Sequence, residues 1–118
     1  MTELRRTITI DATGLAPGRL ASRIALILLG KNATHHPKHS VAPVSVFVKH
    51  CAKLSIRQSK LEQKRYYRTS GHPGGLRYDT MQKVFMKDPC EVLRRAIYGM
   101  LPANTLRPKR MLRLTLER

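Results

Sequence analysis

A chain of 118 residues with 23 Lys and Arg against 7 Asp and Glu carries a formal charge of +16, which calls for an anionic partner large enough to neutralise that field and points to nucleic acid rather than a small-molecule substrate. Hydrophobic residues make up 42%, enough for one compact core, so residues 1–118 are expected to form a single domain and not a disordered basic tail. The longest apolar run, Ile24 to Leu29, is far short of a membrane span or a signal-peptide core, so a soluble, unexported protein with no membrane partner is expected.

Thr7-Ile8-Thr9-Ile10 alternates polar and apolar β-branched residues before Asp11 and Gly14, the pattern of a short strand. A helix follows, with Pro17 in its first turn, Leu20, Ile24, Ile27 and Leu28 on one face and Gly30 as its stop. Arg19 and Arg23 share the other face, where phosphate contact and plain solubility both stand open. Gly14 and Gly18 invite a phosphate-loop reading, but the spacing is one residue short and Arg19-Leu20 follows where Lys and a hydroxyl residue are needed.

Lys31 to Pro43 is a polar connection. His35, His36 and His39 lie close together in it, but Pro37 interrupts any regular helix and no acidic or cysteine ligand is near, so no metal is expected. Val44 to Val48 is a near-continuous apolar run, which predicts a strand covered on both faces and, after a strand and a helix, a crossover in a parallel sheet. Cys51 and Cys90 match no paired ligand spacing and read as small buried hydrophobes left free in a reducing compartment.

Lys60 to Arg77, KLEQKRYYRTSGHPGGLR, concentrates three devices for holding a polyanion. Lys60, Lys64, Arg65, Arg68 and Arg77 surround the single acid Glu62 and can replace the counterions of several phosphates. If Gln63 to Arg68 is extended, Tyr66 and Tyr67 point to opposite faces, one anchoring in a core and the other free for a base or ribose. Ser70-Gly71-His72-Pro73-Gly74-Gly75 then breaks the strand, and Gly74-Gly75 lets backbone N–H groups approach a phosphate.

Two helix starts follow. Asp79 precedes Gln82 by three, and Asp88-Pro89-Cys90-Glu91 supplies a cap, a proline at the first helical position and a glutamate three after the cap. The second helix is expected to reach about Leu101, burying Val92, Leu93, Ala96, Ile97, Met100 and Leu101 and leaving Arg94, Arg95 and Tyr98 outward. The tail mixes Arg107, Lys109, Arg110 and Arg113 with Met111, Leu112, Leu114 and Leu116, and its alternation predicts a last short strand.

Taken together, the Lys60 to Arg77 stretch, Gly18-Arg19-Leu20-Ala21-Ser22 upstream and Gly99-Met100-Leu101-Pro102-Ala103-Asn104 downstream resemble the universal large-subunit ribosomal protein thirteen family, in its bacterial form. The resemblance covers most of the chain. It departs from the family pattern at Pro43-Val44, His50-Cys51, Arg57-Gln58 and Arg107-Pro108. It implies an α/β fold, a three-layer sandwich with a central, mainly parallel four-stranded sheet flanked by helices, plus basic loops and tail.

It also implies a non-enzymatic constituent of the large ribosomal subunit, without cofactor, that binds large-subunit rRNA beside neighbouring ribosomal proteins and acts early in assembly. Its expected place is the cytoplasmic ribosome, with an organellar ribosome left open. The RNA-binding residues are expected to be Arg19 and Lys31; Lys60, Lys64, Arg65, Tyr67, Arg68, Ser70, His72, Gly74, Gly75 and Arg77; and, in the tail, Arg107, Lys109, Arg110 and Arg113. A free RNA- or DNA-binding regulator is the alternative, since phosphate contacts carry no sequence information. A nucleotide-dependent enzyme is disfavoured because the few carboxylates form no catalytic pair and no nucleophile motif is present.

Overall fold

The alternating segment at the start forms β1 (Arg6–Asp11), with Ile10 buried and Thr7 and Thr9 exposed. The computed structural model describes residues 6–30 and 44–118; Lys31, the three closely spaced histidines and Pro43 lie outside them. Helix α1 (Pro17–Leu28) buries Leu20, Ile24 and Leu28, four residues apart, as the 3.6-residue period requires. Gly30, at φ 80°, takes the left-handed conformation that ends it and donates its N–H to the Ile27 carbonyl at 3.0 Å.

β2 (Val44–Lys49) pairs parallel to β1, with Ile8 opposite Val46 and Ile10 opposite Val48. The expectation of a strand covered on both faces does not hold. Val44, Val46 and Val48 are buried while Ser45 and Phe47 are half-buried, so the apolar run hides a two-residue alternation that Phe47 masked in sequence. After β2 the backbone turns at His50, whose φ of 61° is left-handed, with its Nδ1 3.1 Å from Asp11 Oδ1, into a 3-10 turn at Cys51–Lys53.

A short helix that the sequence did not announce, α2 (Gln58–Gln63), precedes the basic hairpin. Gln58 and Glu62 hold each other across its one turn at 3.0 Å. The extended segment therefore begins later than expected, at Arg65: β3 (Arg65–Thr69) pairs antiparallel with β4 (Leu76–Thr80). Helix α3 (Met81–Lys87) is capped one residue later than its sequence suggested, by Thr80 in place of Asp79, and the Thr80 Oγ1 accepts from Lys83 N at 3.4 Å.

Helix α4 (Pro89–Met100) begins as read: Pro89 opens it and the Asp88 carboxylate accepts from Cys90 N at 3.1 Å. Val92, Leu93 and Ile97 are buried, but Met100 is 43% exposed and does not belong to the core stripe. Helix α5 (Arg107–Met111) occupies the first half of the tail, and β5 (Leu114–Leu116) is the expected final strand.

β5 pairs parallel with β2 on the edge away from β1, giving the order β1-β2-β5. The fold is thus mixed α/β with a parallel central sheet. Among the described residues it has three strands where four were expected, because the basic stretch pairs within its own two-stranded sheet. Ile10, Val44, Val46 and Val48 pack with Leu20, Ile24 and Leu28 of α1 and Leu93 and Ile97 of α4 into one core. Each such Leu or Ile contributes about 1.5–3 kcal/mol by leaving water. On the opposite face Thr7, Thr9 and Thr115 are exposed, so among the described residues the expected sandwich of helices on both faces is not seen.

Candidate nucleic-acid interface

Pairing of β3 with β4 decides which side chains share a face, because directly opposed residues of an antiparallel pair point the same way. Tyr67 stands opposite Tyr78, and Arg68 opposite Arg77. Tyr67 is 61% exposed and its ring centroid lies 6.0 Å from that of Tyr78, at an interplanar angle of 53°. Arg65 adds its guanidinium 4.5 Å from the Tyr78 centroid, so this face presents two rings and a cation to solvent.

The other face carries Tyr66, half-buried, with Arg95 of α4 at 4.7 Å and Lys64 at 5.7 Å from its ring centroid. Burial pushes the Tyr66 phenol above its usual range, with the Arg95 charge opposing that shift. Arg68 and Arg77 occupy opposed positions on the same face, where like charges repel. Asp79 relieves this only weakly, at 4.0 Å from Arg68, and is closer to Lys83 at 3.3 Å.

Between the strands, Gly71 and Gly74 adopt φ of 85° and 75°, which residues with side chains rarely take. Gly75 N–H donates to the His72 carbonyl at 2.9 Å and Gly71 N–H to Thr69 Oγ1 at 3.2 Å. The turn is therefore braced by two of its own amides, and the Gly75 amide is not turned outward as its sequence suggested. Ser70 and His72 are exposed beside it.

Outside the hairpin the expected cations scatter. Arg19 and Arg23 flank a shallow cavity of about 310 Å³ with Gly14 and Ser55. Arg107 stacks on Tyr98, its guanidinium 3.8 Å from the ring centroid, and Lys109 is exposed. Arg110 is only 3% exposed and Arg113 is half-buried, because α5 turns Arg110 inward, so Arg110 does not present its charge to a partner as expected.

Sequence reasoning missed Tyr78 and Arg95. Tyr78 becomes visible only through the hairpin register, and Arg95 reads as an ordinary helix-surface cation because Glu91, four residues earlier, takes its Nε at 2.9 Å. Among the described residues no three His, Cys, Asp or Glu side chains are grouped to hold a metal ion, and no helix is long and apolar enough to cross a membrane.

Comparison with known proteins gives a consistent answer. Residues 5–116 match the family model described as Ribosomal protein L13. The chain is 40% identical over 105 residues to the large ribosomal subunit protein uL13 of Spiroplasma citri, covering 89% of this chain and 72% of that protein. It is 41% identical over 102 residues to the uL13 of Thermobifida fusca, covering 86% and 68%, and 37% identical over 110 residues to that of Kocuria rhizophila, covering 93% and 75%.

Proposed function

The chain belongs to the ribosomal protein L13 family, structural and non-enzymatic constituents of the large ribosomal subunit, and on that premise we propose that it binds large-subunit rRNA through the β3–β4 hairpin and supports early subunit assembly. The observation that carries this reading is the opposition of Arg68 and Arg77 across the hairpin. Two arginines directly opposed across an antiparallel pair, with one weak acidic neighbour among the described residues, are destabilising in isolation and become favourable when a phosphate lies between them.

Tyr67, Tyr78 and Arg65 on the other face supply stacking surface for exposed bases. Lys60, Lys64, Ser70, His72 and Gly74 extend the contact along the hairpin, while Arg19, Arg107, Lys109 and Arg113 neutralise more distant phosphates and Lys31, outside the described residues, adds a further cation. The folded core fixes where the described cations stand, so that RNA segments that repel one another converge on a common surface. Neighbouring proteins of the large subunit are further partners, and a cytoplasmic ribosome is the proposed place of action.

The test is cosedimentation with large subunits through a high-salt gradient, together with the salt dependence of binding to purified large-subunit rRNA. Contact with about 6–10 phosphates predicts a loss of several decades in affinity between low and moderate salt. A flat salt profile rejects the electrostatic mechanism. Recovery in free or light fractions alone favours the free-regulator reading.

A further inference from the structure

The three segments that carried the family resemblance are distant in sequence, yet they meet at one place. Gly18 of α1, Lys60, Lys64 and Tyr66 of the basic stretch, and Gly99 and Met100 at the end of α4 all line a single cavity of about 300 Å³. Its depth is apolar: Met81 and Val92, also in the lining, are 2% and 1% exposed. Its rim is cationic, with Lys60, Lys64 and Arg95 and no carboxylate among the described lining residues.

Two of these cations are held ready. Lys64 and Arg95 both rest on the Tyr66 ring, at 5.7 and 4.7 Å, and Arg95 gives only its Nε to Glu91, which leaves terminal N–H groups for another acceptor. Side chains already fixed lose less freedom when a ligand arrives.

The glycines give the second, independent sign. Neither Gly18 nor Gly99 has a positive φ, and beyond its own stretch of helix a Cβ on either would meet no described atom within 4 Å. Glycine is a poor helix former, and nothing in the packing of the described residues at these two helical positions requires it. What the missing side chains keep clear is the space outside the helices, as close approach of a ligand demands.

We infer that this cavity seats one unpaired nucleotide of a single-stranded RNA segment, with its phosphate on Lys60, Lys64 and Arg95 and its base or ribose against the accessible apolar lining of Tyr66, Ala96 and Met100. The size fits one nucleotide, at the lower end of the roughly 300–1,000 Å³ of small-ligand sites. The bases of a double helix are paired and stacked within it and do not reach into a recess of this kind. The inference rests on the RNA-binding reading and adds to it a site apart from the exposed Tyr67–Tyr78 face, with a defined ligand.

The experiment follows backbone amide chemical shifts of the full chain while hexauridylate, hexaadenylate or a blunt RNA duplex is added. The single strands are expected to move Gly18, Lys64, Tyr66 and Gly99, and the duplex to leave them in place. Gly18→Leu, whose Cβ meets no described atom within 4 Å and whose side chain starts from a lining position of the cavity, is expected to abolish those shifts and weaken hexanucleotide binding about tenfold. Native melting with unchanged affinity and shifts in Gly18→Leu overturns the inference, as does a duplex that moves the same amides equally.

Should Gly18→Leu melt early, the paired exposed changes Lys60→Gln and Lys64→Gln decide instead: binding weakened with those shifts lost upholds the site, and wild-type binding overturns it. Cosedimentation of the wild-type protein with large subunits scores the rRNA reading separately. A protein retained in subunits whose Gly18→Leu variant binds hexanucleotides normally keeps that reading and loses only the nucleotide site.

Discussion

The guanidinium of Arg95 stands over the ring of Tyr66, 4.7 Å from its centroid, and so joins helix α4 of the core to the first strand of the basic hairpin. Sequence numbering separates the two by 29 positions, and the hairpin has few other anchors: β3 is exposed except at Tyr66. An exposed cation–π contact contributes about 0.5–1 kcal/mol. Arg95→Ala and Tyr66→Ala are each expected to destabilise the protein, and a double-mutant cycle read by urea unfolding is expected to show coupling of about that size. Additivity of the two changes would show that the hairpin is held elsewhere.

Asp11 gives a pH prediction. Its carboxyl is lowered from 3.8 to about 2, first by the Thr13 hydroxyl, then by the Thr13 backbone N–H and by His50. The Thr13 contacts to Oδ1 measure 2.7 and 2.9 Å. A carboxylate whose folded value lies below its unfolded one contributes stability that is present above the unfolded value and is lost as pH falls through the folded one. The melting-temperature gap between wild type and Asp11→Ala is therefore expected to be steady above about pH 5 and to close between about pH 4 and 2. A gap that persists unchanged at pH 2 would show that the turn is held by packing rather than by this charge.

The two thiols, expected to be small buried hydrophobes, are indeed buried and free. Burial, with Cys90 as its neighbour, pushes the Cys51 thiol up to about 12, so almost no thiolate exists at neutral pH. Neither cysteine is expected to react with an aromatic disulfide reagent in the native protein, and both are expected to react once urea unfolds it. Rapid labelling of either one without unfolding contradicts the burial that the core depends on.

Much of the fold was legible because local patterns and global packing agree at those positions. Thr7 to Ile10, the Leu20–Ile24–Leu28 face and the Asp88-Pro89 start each carry a period or a cap that tertiary contacts then reinforce. What escaped depends on partners distant in sequence. Phe47 looks like core, yet it lies on the sheet face away from α1 and α4. Lys60 sits in a one-turn helix too short for any periodicity to announce. The candidate site divides in the same way. The cations and glycines of Lys60 to Arg77 were visible as composition, whereas the roles of Tyr78 and Arg95 follow from register and from helix packing, which no single stretch contains. Arg110 failed for the complementary reason, since charge in a tail does not reveal which cation a short helix turns inward.

The final prediction separates binding from folding by comparing Arg68→Glu with Ile97→Asp. Arg68 has a side chain 71% exposed, and its one acidic neighbour among the described residues, Asp79, is 4.0 Å away. Reversing its charge removes the repulsion from Arg77 across the hairpin and costs little, within about 0.5 kcal/mol as for other surface changes. Far-ultraviolet circular dichroism should stay native while incorporation into large subunits falls, because a carboxylate now faces the phosphate that two guanidinium groups would have gripped. Ile97 is 0% exposed in the core shared by α1, α4 and the sheet. An unpaired carboxylate there costs several kcal/mol, and that variant is expected to unfold. Normal assembly of Arg68→Glu, or equal loss of structure in both variants, would make the hairpin a structural element of the protein and not its grip on RNA.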